Sequence, residues 1–464
     1  MTIDLDLRPL ATETTLHLPG DPGYDAARVA WNLAVDQRPA AVALPRTAAE
    51  VAQVVRAAAQ AGLRVAPQST GHNAAPLAAQ SLDDVVLVRM SGMDLVVADP
   101  VRGIVRAAGG ALWEPAVVAA AAHGSAVLHG SSPDVGITGY SLGGGIGWFA
   151  RKLGLATNSI TAVELVTADG ALVRADAAIN AELFWALRGG GGSFGVVTAV
   201  EFRMYPIESA YAGFLMWDIA ETEPVLREWA AWAPSAPDEV TTSFRVMRMP
   251  EMPELPDFLR GREIAIIDGA VLGSDERGAE LLVGLRALRP EMDTFGRVPA
   301  ASLVRLHMDP EGGAPVASDS AMLGGFPDAA VDAFLAEVGP GRTTPLLMAE
   351  LRQLGGALAR PHAGGGVLSH LDAEFAMFAG ALAIDAESGA AGQAAAGRLR
   401  EALAPFANGR QYLNFAENPV DVASAYPDRA WRQLSGIRSA VDPDGRFVAN
   451  HPVPRLYEQG RSTT

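Results

Sequence analysis

The stretch RVAPQSTGHN, residues 64 to 73, sets a histidine in a tight loop directly after a short strand. Upstream, Thr47 and Glu50 have the spacing of a capping box, and AAEVAQVVRAAAQAG reads as an amphipathic helix that stops at Gly62. LRVAP then reads as a buried strand that delivers the loop. Thr70, Gly71 and Asn73 neither continue a strand nor start a helix. Backbone amides in such a loop can turn toward a ligand, and Gly71 permits close approach to it. Taken alone, a loop histidine has a plainer reading as a surface residue or a satisfied hydrogen-bonding group.

Composition narrows the chemistry. The chain has 464 residues, 49% hydrophobic and 19% charged, enough for a large core and at least two domains. Its net charge of −17 argues against a nucleic-acid or anionic-membrane partner. The N-terminus lacks a basic, apolar leader pattern and no long uncharged apolar run occurs, so a cytoplasmic location is the default expectation. Cysteine is absent. That removes disulfides, thiolate metal ligands, thiol nucleophiles and a cysteinyl cofactor bond together.

Farther along, DDVVLVRM reads as a strand, LVVADPVRGIVRAAGG as a hairpin and ALWEPAVVAAAAHG as a helix. The segment SAVLHGSSPDVGITGYSLGGGIGWFARKLGLATNS reads as long and irregular, a shape that a compact domain tolerates when it wraps a ligand. TAVELVT and ALVRA form a second hairpin, and NAELFWALRG runs through another glycine run into the strand GVVTAVEFRMYP. Between residues 208 and 411, helical patterns such as EPVLREWAAW alternate with strand-like ones such as GREIAIIDGAVLG, TTPLLMAELRQL and EFAMFAGALAI. This suits a separate α+β domain with an antiparallel sheet. The run LGGGIG is not read as a nicotinamide-cofactor turn, because it follows a loop rather than a strand and Asp169 sits in a hairpin. No metal site is expected from the histidine spacing.

Together RVAPQSTGHN, HGSSPDVGITGYSLGGGIGW, GLATNSITAVELVTADG, LFWALRGGGGSFGVVTAVEF, ELRQLGGALAR, YLNF and VDPDGRFVANHPV resemble the berberine-bridge-enzyme-like group of FAD-linked oxidases, in the vanillyl-alcohol-oxidase (PCMH-type) flavoprotein superfamily. The resemblance runs from about residue 22 to 454. It implies an α+β fold: an FAD-binding domain in two parts, residues 1–207 and 412–464, around a substrate domain, residues 208–411, whose antiparallel sheet is flanked by helices. His72 matches the flavin-linking histidine. Ser132 stands where many relatives carry a second, cysteinyl link, so the resemblance implies FAD held covalently through His72 alone. Further contacts implied with FAD are Gln68, Ser69, Thr70, Gly71, Asn73, Val135, Gly136, Gly139, Gly195, Val197, Asn414 and Asn450, with Gly143, Gly144 and Gly145 sharing the pyrophosphate.

The tyrosine that the family often uses as base is replaced by Phe415 in YLNF. Tyr412, His370 and Glu350 are the remaining candidates. Glu350 lies on a strand expected to face the flavin, where desolvation would tune a carboxylate upward into a base at neutral pH. Its alternative is pairing with Arg352 or Arg360. The expected activity is hydride transfer from a small-molecule substrate (an alcohol, an amine or an activated C–H) to FAD, with dioxygen as acceptor. A dehydrogenase or a cyclase-like flavoprotein is the alternative, and the oligomeric state is open.

Overall fold

The computed structural model describes residues 14–253, 255–309 and 311–458. The reading of the first thirteen residues therefore lies outside the described residues. Two sheets are built before residue 204. One has the order Thr15–His17, Ala41–Leu44, Val85–Arg89, Arg64–Gln68, parallel except at its first pair. The other is antiparallel, in the order Val96–Asp99, Ile104–Ala108, Val196–Arg203, Ile160–Val166, Leu172–Asp176. The helix Ala48–Gln60 starts where the capping box puts it: Thr47 accepts from the Glu50 amide at 3.2 Å. Its apolar stripe of Val51, Val54, Val55 and Ala58 is fully buried beneath both sheets.

The strands between residues 209 and 382 form an eight-stranded antiparallel sheet. Its centre runs Ser209–Asp218, Glu263–Val271, Val240–Arg248, Met348–Gln353, Phe375–Leu382, Val316–Leu323. Alternation decides its two faces. Phe244, Ile267, Leu351 and Met377 point to the helices Thr222–Trp232, Asp328–Val338 and Ala386–Leu403, forming one core with Trp229 and Phe334. The residues between them, including Arg245, Asp268, Glu350 and Phe378, lie on the opposite face.

The sequence reading missed the strands Ser209–Asp218, Val240–Arg248 and Val316–Leu323. Each is buried on both sides for most of its length, which erases the two-residue alternation that reveals a half-exposed strand. The segment read as irregular contains the helices Ile137–Leu142 and Ala150–Leu153 and a 3₁₀ turn at Ala156–Ser159. These are too short for a visible helical period and are held by burial of Ile137, Leu142 and Ala150.

The chain end returns to its beginning. Val65 donates to the Arg446 carbonyl and Val448 donates to the Val65 carbonyl, each at 2.8 Å, so 446–448 extends the sheet beside Arg64–Gln68. VDPDGRF makes this possible. The fully buried Asp442 accepts from the amides of Arg446 at 2.7 Å and Phe447 at 2.9 Å, and pairs with Arg438 at 2.7 Å. Replacing Asp442 with alanine strands Arg438 without its charge partner and releases both amides; a loss of about 3–5 kcal/mol is expected. A lower midpoint in chemical denaturation would show it, and an unchanged midpoint would refute it.

Candidate active site

His72 leaves the end of strand Arg64–Gln68 and is three-quarters buried. Its ring stacks on Trp31, with centroids 4.0 Å apart and planes 15° apart. Nδ1 lies 2.7 Å from the Thr70 hydroxyl, and Nε2 faces Asp134 at 3.9 Å. Burial lowers the imidazole to about 4 against the opposing pull of Asp134, so it is neutral at physiological pH. Gly71 is required here: its φ is +84°, and a Cβ would press on Ala30 and Gln68. Gln68 is buried in an amide pair with Gln37 at 2.8 Å. Asn73 donates to the Leu413 carbonyl at 2.9 Å, and Asn450 donates to the Asn73 carbonyl at 3.2 Å, tying the loop to the chain's return.

Ser132 does not face the solvent; its hydroxyl donates to Asp134 at 2.7 Å. Trp31 Nε1 at 2.7 Å and the Gly312 amide at 2.9 Å complete a set of three donors on that carboxylate. Neither Trp31 nor Asp134 stood out in the sequence, because the Trp31–Asp134 bond spans about a hundred residues and the Gly312 amide comes from farther still.

The glycines divide into two groups. Gly136 packs against Ser69 and Gly139 opens onto free space, while Val135 passes its carbonyl to the Trp113 amide. Gly143, Gly144 and Gly145 were expected to offer amides to the pyrophosphate; the structure corrects this. Their amides donate to the Gly139 carbonyl, the Ser141 carbonyl and, at 2.8 Å, the Tyr412 hydroxyl. A Cβ on Gly143 would overlap Asn414, and one on Gly145 would overlap the Tyr140 ring. These glycines serve close protein packing. Gly195 packs against the Leu165 side chain and the Val166 carbonyl, and the Val197 carbonyl packs against Gly109.

Tyr412 is buried and its hydroxyl also receives Asn414 Nδ2 at 3.3 Å. Burial pushes the phenol up to about 12, which keeps it protonated. Phe415 stacks edge-on with Tyr412, 5.2 Å between centroids, and lies beneath the Arg352 guanidinium, also at 5.2 Å.

Glu350 is 2% exposed on the sheet face described above. Arg352 Nε donates to it at 2.7 Å, and His307 Nε2 lies 3.2 Å from the same oxygen. His307 Nδ1 is 2.8 Å from Asp268, which also holds Arg245 and Ser243. Burial alone would raise the Glu350 carboxyl, as expected from the sequence, but Arg352 and His307 outweigh it and hold it far below the ordinary range. The upward tuning is therefore corrected: Glu350 is a permanently ionised partner, and its pairing with Arg352 is the reading the structure bears out. Burial and Arg245 pull His307 down, yet Asp268, Glu350 and Asp309 overcome them and hold it at about 9. His307 was not foreseen, since RLHMDP carries no local signal. His370 is not joined to this cluster; it sits in the loop before Phe375–Leu382 with Nδ1 3.1 Å from Ser369 Oγ.

A flavin dinucleotide needs hydrogen-bonding groups along its sugar alcohol and phosphates. The buried hydroxyls of Ser69, Thr138, Tyr140 and Thr157, without hydrogen-bond partners among the described residues, lie along the His72 loop and the glycine-rich segment. These residues fit such a group.

The comparisons agree. Residues 39–176 match a family model described as an FAD binding domain. As the sequence resemblance implied, the chain carries this domain and has the berberine-bridge-enzyme-like fold. It is 36% identical over 210 residues to (R)-6-hydroxynicotine oxidase from Paenarthrobacter nicotinovorans, covering 45% of each chain. It is 29% identical over 240 residues to glucooligosaccharide oxidase from Sarocladium strictum, covering 51% of this chain and 48% of that one. The chain thus spans about half the length of these curated relatives. Among solved structures, 6-hydroxy-D-nicotine oxidase from Arthrobacter nicotinovorans superposes with a TM-score of 0.81 at 26% identity, covering 95% of this chain and 97% of that one. The wild-type BBE-like 1 protein of Physcomitrella patens gives a TM-score of 0.83 at 23% identity, over 97% and 99%.

A raised histidine contributes stability below its unfolded value, near 6.5, and that contribution is lost as pH rises through about 9. Thermal denaturation of the wild-type protein should therefore fall across this window more steeply than that of His307→Gln. Parallel pH profiles would contradict the assigned charge state.

Proposed function

We propose that the protein is an FAD-dependent oxidase, with the cofactor bonded covalently through His72 only and dioxygen as acceptor, giving hydrogen peroxide. The single observation that supports this most is the three-quarters-buried His72 in its glycine-turned loop, in the same part of the fold as hydroxyls without partners among the described residues; burial favours the unprotonated imidazole, which is the nucleophilic form. When bound, FAD supplies a two-electron acceptor for hydride from a small organic substrate bearing an alcohol, an amine or an activated C–H. We read residues 1–207 and 412–464 as the cofactor domain and 208–411 as the substrate domain; the pairing of Val65 with Phe447 supports this division.

The chain's own residues divide the remaining work. Glu350, itself held by His307, fixes the Arg352 guanidinium, which is 15% exposed and lies over Phe415, so a substrate meets a fixed cationic donor on an aromatic floor. Tyr412, protonated and receiving two donors, has its own hydroxyl proton to give and orients a substrate oxygen or nitrogen. Glu350 acts by holding Arg352 and not by accepting the substrate proton. The relatives named for nicotine and oligosaccharide oxidation make amines and sugars the first substrates to test.

The purified protein should be yellow and retain its flavin after acid precipitation, and His72→Ala should release FAD into the supernatant. Substrate turnover in air should produce peroxide. Flavin that stays with the acid-precipitated mutant would refute the attachment site, and turnover without peroxide would refute the acceptor.

Glu350→Gln should raise KM and change kcat by less than about tenfold, because it loosens Arg352 without removing a base. A selective collapse of anaerobic flavin reduction, with KM unaltered, would restore the carboxylate as proton acceptor.

A further inference from the structure

Asp134 faces His72 and is held by three donors, and nothing in the division of labour above uses it. It receives Trp31 Nε1 and Ser132 Oγ at 2.7 Å and the Gly312 amide at 2.9 Å. Each donor comes from a different part of the chain. Trp31 also stacks on the His72 ring, so one indole sets both the plane of the imidazole and the position of the carboxylate facing it. The Thr70 hydroxyl lies 2.7 Å from Nδ1 and Asp134 lies 3.9 Å from Nε2, so the tautomer in which Thr70 donates to Nδ1 is the one that turns the Nε2 proton toward the carboxylate. This is the arrangement in which a carboxylate orients an imidazole and takes up the positive charge that forms when the opposite nitrogen acts as a nucleophile. Ser132, at the position where the resemblance puts a second flavin bond, is used to hold this carboxylate.

We propose that Asp134 is the positioning residue for covalent attachment of FAD to His72, an inference that rests on the His72 assignment above. Attachment joins an imidazole nitrogen to a ring-methyl carbon of the flavin. One N–H and one C–H bond break, the electron pair of the C–H enters the flavin ring, and dioxygen removes two electrons and two protons as hydrogen peroxide. Asp134 orients the ring and receives the Nε2 proton. Its position then governs the rate of attachment rather than the affinity for FAD.

The test follows covalent flavin, by fluorescence of the denatured chain and the mass of the His72 peptide, after FAD is added to protein produced under riboflavin limitation. Asp134→Ala should bind FAD yet attach it about a hundredfold more slowly than wild type. Added formate, which can occupy the space left by the carboxylate, should speed attachment in Asp134→Ala. Asp134→Asn keeps the size of the side chain, and should be equally slow and indifferent to formate. Attachment at the wild-type rate in either variant, failure of formate to accelerate Asp134→Ala, or loss of FAD binding in both variants would each overturn the proposal. A wild-type chain that releases all its flavin in acid would overturn the His72 assignment itself, an outcome separate from these.

Discussion

The segment from His129 to Asp134 ties the buried charge cluster around Glu350 to the carboxylate that faces His72, and the geometry of the site depends on it. Ser131 Oγ lies 3.3 Å from Arg352 and 3.4 Å from Asp309, while Ser132 donates to Asp134 at 2.7 Å. On the far side His307 and Gly312 close the ring: His307 pairs with Glu350 at 3.2 Å, and the Gly312 amide reaches Asp134 at 2.9 Å. Buried charges persist only when geometry and partners compensate their desolvation. Moving either end would break the hydrogen bonds of Ser131 to Arg352 and of Ser132 and Gly312 to Asp134, so the eight-stranded sheet is tied to the segment whose carboxylate faces His72.

The same constraint explains why Glu350 departs from the role that its position suggested. A lone carboxylate on a buried sheet face would be raised by desolvation. With Arg352 on one side and His307 on the other it becomes a fixed anion, and the group presented outward is the arginine. Phe415 strengthens this arrangement, because an aromatic face under a guanidinium favours the cation while adding no proton of its own.

Local signals in the sequence account for a definite part of this structure. Thr47 and Glu50 announced a helix, Gly71 a tight turn after a strand, and DPDGRF a return turn, because each works through neighbours within a few residues. The combination of segments carried the fold class. What stayed hidden required distant partners. Asp134 gains its meaning from Trp31 and Gly312, His307 from Asp268 and Glu350, and the amides of Gly143 to Gly145 are taken up in part by Tyr412. Strands such as Val240–Arg248, buried on both faces, showed no alternation to read.

The proposed flavin is bonded to His72 and enclosed between the glycine-rich segment and the sheet face that bears Arg352. A crystal structure of the purified yellow protein tests this most directly. Continuous density from the His72 imidazole to a flavin ring, with the Ser69, Thr138 and Tyr140 hydroxyls among its contacts, is the predicted result. A flavin bound elsewhere, or an imidazole still stacked on Trp31 with no density joined to it, would contradict the account.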